Sequence, residues 1–591
     1  MMKPNHASYW LITTVSMAAS LQAANMYIQH NLVADQSGVA DHTDASLVNP
    51  WGICASATSP FWFSDEGSGV STLYSTGGSG SIPGLTVTVK PSATVTKGQP
   101  TGCVYNATTG FTVATGKAAG FIFDGQDGTI TAWNSSVDLT HALVMVDNSA
   151  SGAVYKGLAI GTNAGATYLY ATNFHAGTIE VYDSNFKPVT QTSGAFTDPL
   201  IPSGFAPFNI QAVNGNLYVT YALQDAAKHN DVQGAGNGYV DVYNTAGNLM
   251  QHLIAGGPLN SPWGVALAPA GFGDYANDLL VGNFGDGWIN VFNPLTGAFI
   301  ASLADVQGNT IAISGLWALQ AGNGGNGGDK NAVYFTAGTG GQAHGLFGSL
   351  QAAPSIAANA TVNAASFQPD IAPNTYITIS GANLSATTRT WQSSDFVNNA
   401  LPASLDGVSV MVDGKAAYVY YISPSQINAL TPASDTTQGP VSVQTMNNGL
   451  SSGTFTIQLQ TVAPAFFLFS GGKYIAATHG DGSYVGATTL FPNASTPAKP
   501  GETIVLYGTG FGPTTPSVPD GQLLTAPLNL TSLPILTFGG NQAQVTFAGL
   551  ASPGLYQINV TVPSSTPNGD VQVLAQAGGQ TSPVALITVQ Q

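Results

Sequence analysis

Along residues 30 to 350, apolar residues come in short runs separated by glycine-rich turns. Ser261-Pro262-Trp263-Gly264-Val265 opens one unit. Leu279-Leu280-Val281-Gly282-Asn283-Phe284 follows, and then Trp288-Ile289-Asn290-Val291-Phe292. Each run is strand-length and ends in a small polar residue, and the third run alternates as a strand does. The same order recurs six times. It starts at Pro50-Trp51-Gly52-Ile53, Pro100-Thr101-Gly102-Cys103, Tyr155-Lys156-Gly157-Leu158, Pro207-Phe208-Asn209-Ile210, Pro262-Trp263-Gly264-Val265 and Ile313-Ser314-Gly315-Leu316. The equivalent positions 52, 102, 157, 209, 264 and 315 lie 50 to 55 residues apart. Four short strands per period of this length predict propeller blades, six of them.

After residue 350 the texture changes and a second duplication begins. Ile377-Thr378-Ile379-Ser380-Gly381 matches Ile504-Val505-Leu506-Tyr507-Gly508, and Gln426-Ile427-Asn428 matches Gln557-Ile558-Asn559. Short alternating strands between turn signals predict immunoglobulin-like β-sandwiches. The expected fold class is all-β, a six-bladed β-propeller followed by two such sandwiches. The expected divisions are a signal peptide over 1–23, the propeller over 24–351, a linker over 352–361, and sandwiches over 362–461 and 462–591. Tyr27 to Val33 alternates apolar and polar residues and is expected to close the ring against the strand around Phe347, removing an exposed edge.

Composition agrees with a turn-rich β protein: 44% of residues are apolar, 7% are charged and Gly numbers 71. The formal net charge is −17 and Arg389 is the only arginine. That argues against nucleic-acid binding, which needs basic patches. Lys3, the mildly apolar stretch Trp10 to Ala19 and the small residue Ala23 read as a secretory leader. No run is long and apolar enough to predict a transmembrane anchor. A secreted or cell-surface location and a monomer are expected.

Cys54 and Cys103 are the two cysteines, on the first strands of neighbouring blades. Counted from the repeat glycine, one stands at +2 and the other at +1, so their side chains leave opposite blade faces and can meet between blades. A disulfide and a pair of small buried thiols both fit, and an oxidising compartment favours the disulfide.

The propeller half resembles a family of bacterial secreted six-bladed propellers, distantly similar to NHL-repeat proteins, through Asn49-Pro50-Trp51-Gly52, Ala206-Pro207-Phe208-Asn209-Ile210-Gln211 and Leu280-Val281-Gly282-Asn283-Phe284-Gly285-Asp286-Gly287. From Val362-Asn363-Ala364-Ala365-Ser366-Phe367 onward the chain resembles a duplicated domain appended to secreted acidobacterial proteins. Its copies are similar to IPT/TIG modules. Neither resemblance implies an activity.

Candidate chemistry gathers on the loop face that joins second to third strands. Asp65, Glu66, Asp124, Asp127, Asn173, His175, Asp225, His229, Asp231, Asn283, Asp286 and His344 fall there. The residue before each repeat position, including Trp51, Lys156, Phe208 and Trp263, starts at the same face. The expected site is an aromatic mouth with an acidic rim. Its ligand-binding residues would be Trp51, Phe208, Trp263, Lys156, Asn173 and Asn283. A divalent cation, calcium or zinc, would be held by Asp65, Asp124, His175, Asp225, His229, Asp286 and His344. The bland reading of each is a turn or core residue. No HExxH, GxSxG or P-loop motif occurs. His479, the lone histidine after residue 350, reads as a surface residue. Two functions fit: a binding protein for an extracellular glycan or protein, with the sandwiches as spacers, or a metal-dependent propeller enzyme of lyase or lactone-hydrolase type. The first is favoured because no catalytic motif is present.

Overall fold

The computed structural model describes residues 26–75, 84–433, 436, 438–469 and 472–591. The expected leader over 1–23 lies outside the described residues. The chain forms two compact units, Asn25–Ala352 and Ala353–Gln591.

In the first unit, the opening strands of the repeats are Pro50–Cys54, Pro100–Tyr105, Tyr155–Asn163, Phe205–Val213, Pro262–Leu267 and Leu316–Ala321. Each contacts the next, and the last contacts the first, so they close a ring around an axis. Each is followed outward by an antiparallel neighbour: Phe61–Asp65, Phe121–Gly125, Ala166–Asn173, Asn216–Leu223, Leu279–Asn283 and Val333–Ala337. Third strands come next, among them Thr129–Trp133, Thr178–Tyr182 and Tyr239–Tyr243. The outer strands of the first two blades, Val87–Val89 and His141–Asp147, also pair in parallel and join those blades into one sheet. Tyr27–Ala34 pairs antiparallel with Leu346–Ala352, from Tyr27 opposite Ala352 to Ala34 opposite Leu346, and completes the last blade.

Both faces of a blade are covered, so successive residues enter different cores. Leu217 and Val219, with Ile210 of their own blade, pack with Tyr170 and Ile179 of the blade before. Tyr218, between them, packs with Val265, Leu279 and Val281 of the blade after. This is the period-two rule of a strand applied to two buried faces. It is why the runs read as continuously apolar rather than alternating. The same rule sends Cys54 and Cys103 into one core with Trp62, Phe121 and Trp133. They form a disulfide with Cα atoms 5.8 Å apart.

The repeat glycine has a steric cause. A Cβ on Gly52 would stand 2.5 Å from the Thr101 carbonyl oxygen, and one on Gly264 would stand 2.6 Å from that of Trp317. Where the fourth blade has Asn209 instead, its amide donates to the Trp263 carbonyl at 2.7 Å and bridges to the next blade. In the last blade the equivalent position is Ala318 rather than Gly315. Leu316 pairs with Ala337 as Pro262 pairs with Asn283, which aligns Trp317 with Trp263. The Ala318 N–H donates to the Thr336 hydroxyl, as the Asn209 N–H does to that of Thr220.

The second unit begins at Ala353, and a strand occupies most of the segment expected as a linker over 352–361. Ser355–Asn363 is a strand paired with Tyr376–Ala382, so the first sandwich begins inside that segment. Its two sheets enclose Ile377, Ile379, Val410, Val419, Ile427 and Val443. A second sandwich follows around Leu506, Leu536, Ile558, Val573 and Ile587. The duplication persists in atomic detail. Ile379 pairs with Ile427 as Leu506 pairs with Ile558. Gln426 donates to Asn428 at 2.8 Å, and Gln557 donates to Asn559 at 2.9 Å. Ala364, Tyr376, Tyr420, Phe467 and Phe469 form a shared apolar core, so the two sandwiches are docked rather than strung apart. His479 is held by Glu502 on this second sandwich.

Gly264→Ala is expected to cost about 1–3 kcal/mol, the range of core overpacking. Gly84→Ala, where nothing lies within 4 Å of the added carbon, should be nearly silent. Urea titration of both variants checks this. The paired change Cys54→Ser with Cys103→Ser closes no loop and should lose about 4 kcal/mol in the chain-entropy account of a 49-residue separation, read in the same titration without reductant.

Candidate recognition face

The residue before each repeat position points to the axis. In blade order these are Trp51, Thr101, Lys156, Phe208, Trp263 and Trp317, all at most 3% exposed. Trp51 stacks on Trp317 with ring centroids 3.4 Å apart and meets Trp263 edge-on at 6.1 Å. Phe208 approaches Trp51 at 6.4 Å and Trp317 at 6.1 Å, and Phe284 stacks on Trp317 at 4.0 Å. The aromatic residues expected to line a mouth therefore do converge, but they fill it. Trp317 was missed in the sequence because Gly315 drew the alignment three residues early. The signal was the recurrence of Trp itself.

Below this plug runs a narrow channel lined by Gly52, Gly102, Leu158, Asn209 and Ala318, with room for about one water molecule. Above it sits Lys156. Its ammonium lies 5.0 Å from the Trp51 ring centroid and 5.8 Å from that of Phe174, and donates to Gln126 Oε1 at 2.7 Å. Burial pushes its pKa down to about 8, against the opposing pull of Asp231, Glu66 and Asp225. Burial likewise raises Asp231, whose Oδ2 is buried without a hydrogen-bond partner. Asn49 ties the layers together: it accepts from Trp317 Nε1 at 3.0 Å and donates to Glu66 at 2.8 Å and to Gln342 at 3.2 Å. Loops of the first, second, fourth and last blades thus meet over the plug.

The expected metal ligands do not assemble. Asp65 is wholly buried and accepts the Thr72 N–H at 2.8 Å. Asp124 is buried too, and accepts the Gly102 N–H at 2.6 Å and the Thr101 hydroxyl at 3.0 Å. Burial raises its pKa to about 7. Both carboxylates pin backbone between strands. Asp225 receives the His229 N–H, which holds its pKa down and organises its own loop. Asp286 accepts from Asn283, Asn260 and the Trp288 N–H. His344 is bound to Asp35 at 2.8 Å on the closing strand side. His175 is exposed. Asn173 donates to Glu180 at 2.7 Å and Asn283 to the Pro258 carbonyl at 2.8 Å, so these two also serve turns rather than a ligand. Among the described residues, the one group of three or more metal-type side chains close enough to share an ion is Asp198, Asp241 and His252, outside the predicted set.

What the loop face does present is a polar surface with two apolar points. Val232 and Trp288 are each 40% exposed. The Gly234 N–H donates to Asn260, and Asn260 donates to Asp286 beside Trp288, so the two stand on one hydrogen-bonded loop platform.

The fold and this face define a β-propeller carried with immunoglobulin-like sandwiches. Residues 365–458 match the IPT/TIG domain family. The chain is 30% identical over 328 residues to "Uncharacterized protein R648" of Acanthamoeba polyphaga mimivirus, covering 54% of this chain and 78% of that protein. It is 30% identical over 330 residues to "Uncharacterized protein L690" of the same virus, covering 54% and 84%. It belongs to the family of these proteins. Solved structures that resemble it include a streptogramin B lyase, at 11% identity and TM-score 0.33 over 56% of this chain and 98% of that one. A Bacteroides thetaiotaomicron protein of unknown function gives 11% and 0.34 over 55% and 76%. Both of these relatives are viral.

Asp124 sets a pH dependence. Its folded pKa, near 7, exceeds the ordinary 3.8, so between those values the folded protein holds a proton that the unfolded chain releases. Its stabilising contribution is complete below about pH 4 and is lost as pH rises through 7. Asp124→Asn keeps an acceptor for Gly102 and Thr101 but cannot ionise. The melting temperature of the variant relative to the native protein should therefore rise between pH 4.5 and pH 7.5, as calorimetry would show.

Proposed function

We propose that this protein is a secreted or cell-surface recognition protein that binds an extracellular protein partner over the loop face of its propeller, with the docked sandwich pair as a rigid spacer. The observation that supports this reading is the plug. Trp51, Trp263, Trp317 and Phe208 occupy the axial position where a small substrate would be enclosed, and Lys156 is sealed above them. Binding then has to take place on the loops rather than in a cavity. Trp288 is the aromatic anchor such a surface uses, since interface energy concentrates in a few large side chains. No helix among the described residues is long and apolar enough to cross a membrane. The metal-dependent lyase or lactone-hydrolase reading needs a cation on the loop face, where each candidate ligand is engaged with backbone, a turn or a neighbouring strand or is exposed alone.

The purified chain is to be screened against displayed extracellular proteins and against glycans, with Trp288→Ala in parallel. The expected result is a protein partner whose affinity falls at least about tenfold in Trp288→Ala with no change in melting temperature. Equal binding by both forms would overturn the loop-face assignment, and a partner found only among glycans would overturn the partner class.

A further inference from the structure

The connection between the third and fourth blades, residues 183–204, folds over the outer strands of the fourth blade and delivers Asp198 to a cross-strand pair. Asp241 on Tyr239–Tyr243 stands opposite His252 on Leu249–Ala255. His252 Nδ1 lies 2.6 Å from Asp198 Oδ2 and 2.9 Å from Asp241 Oδ1. The two carboxylate side chains are 1% and 0% exposed, and the imidazole is 20% exposed. One nitrogen thus faces two buried carboxylates, although it carries at most one proton and can make one linear hydrogen bond.

The remaining oxygens are held from outside. Asp198 Oδ1 accepts the Leu200 N–H at 2.8 Å. Asp241 Oδ2 accepts the Tyr243 hydroxyl at 3.3 Å, and Tyr243 is itself bonded to Tyr221 at 2.9 Å. Each carboxylate is therefore oriented by one oxygen and turns the other to a common point. Supporting bonds of this kind are what orient ligands around an ion. The three donor atoms all lie within 4.8 Å of one another, close enough to share one ion. The partly exposed imidazole edge gives an ion a route from solvent.

We propose that Asp198, Asp241 and His252 form a binding site for a divalent transition-metal ion, zinc or manganese, that clamps the 183–204 connection onto the fourth blade. A nitrogen donor beside two carboxylates suits these ions, whereas calcium and magnesium favour all-oxygen cages. The site is distinct from the loop face and does not depend on the recognition reading.

The full chain, stripped with chelator and dialysed, is to be titrated with zinc, manganese and calcium chlorides. Bound metal per chain and melting temperature are the readouts. The expected result is uptake of about one zinc or manganese ion with a rise in melting temperature by mass action. In His252→Gln, uptake should be at least tenfold weaker. Asp241→Asn should behave the same, and His252→Gln, at a partly exposed position, carries the test if the buried change prevents folding. Failure of the stripped protein to take up either ion would overturn the proposal. So would native-like uptake by His252→Gln, or a response to calcium alone.

Discussion

The contact on which the rest of the propeller depends is the approach of neighbouring first strands around the axis. Backbone meets backbone so closely that a Cβ at Gly52 or Gly264 would collide with a carbonyl of the next blade. Close packing of this kind tolerates little volume change. Everything outward follows from it. The tight ring fixes the blade spacing, the spacing lets each strand bury both faces, and the two buried faces demand apolar residues at successive positions. In the fourth blade Asn209 stands at the position of these glycines, and its amide makes a hydrogen bond across to the next blade.

The same narrow ring decides what can happen at the axis. Six side chains point inward from six strands, and four of them are large aromatic rings. Their volume closes the space that a wider ring would leave as a pocket. Lys156 is then held out of water above indole and phenyl rings, with its charge balanced by acids from other loops. A buried amine of this kind is commonly read as catalytic. Here it is sealed, and its neighbours form an interlocked polar layer around Asn49 and Gln126.

In the second unit the duplicated sequence gives duplicated register, down to the Gln–Asn bond within equivalent strands. The copies are not equivalent in what they bury. Each lends apolar residues to a joint core around Tyr376, Tyr420 and Phe467, which makes the pair one body. A strand begins where a linker was expected because Ser355–Asn363 has a partner in Tyr376–Ala382, a long-range fact invisible in an Ala-rich stretch.

Periodicity alone determined the repeat, five of the six opening strands, the closing strand and the shared core of Cys54 and Cys103, because each follows from local strand parity and a fixed spacing; the sixth opening strand was drawn three residues early by Gly315. It also placed Trp51, Lys156, Phe208 and Trp263 together. Tertiary structure decided the rest. Whether converging rings line a mouth or fill it depends on ring radius, which no single segment encodes. Whether Asp65, Asp124 or Asp286 faces a ligand or a backbone N–H depends on neighbours brought by turns of irregular length. Asp198, Asp241 and His252 come from a loop and two strands whose meeting is set by how the 183–204 connection folds back, so residue spacing gave no sign of them.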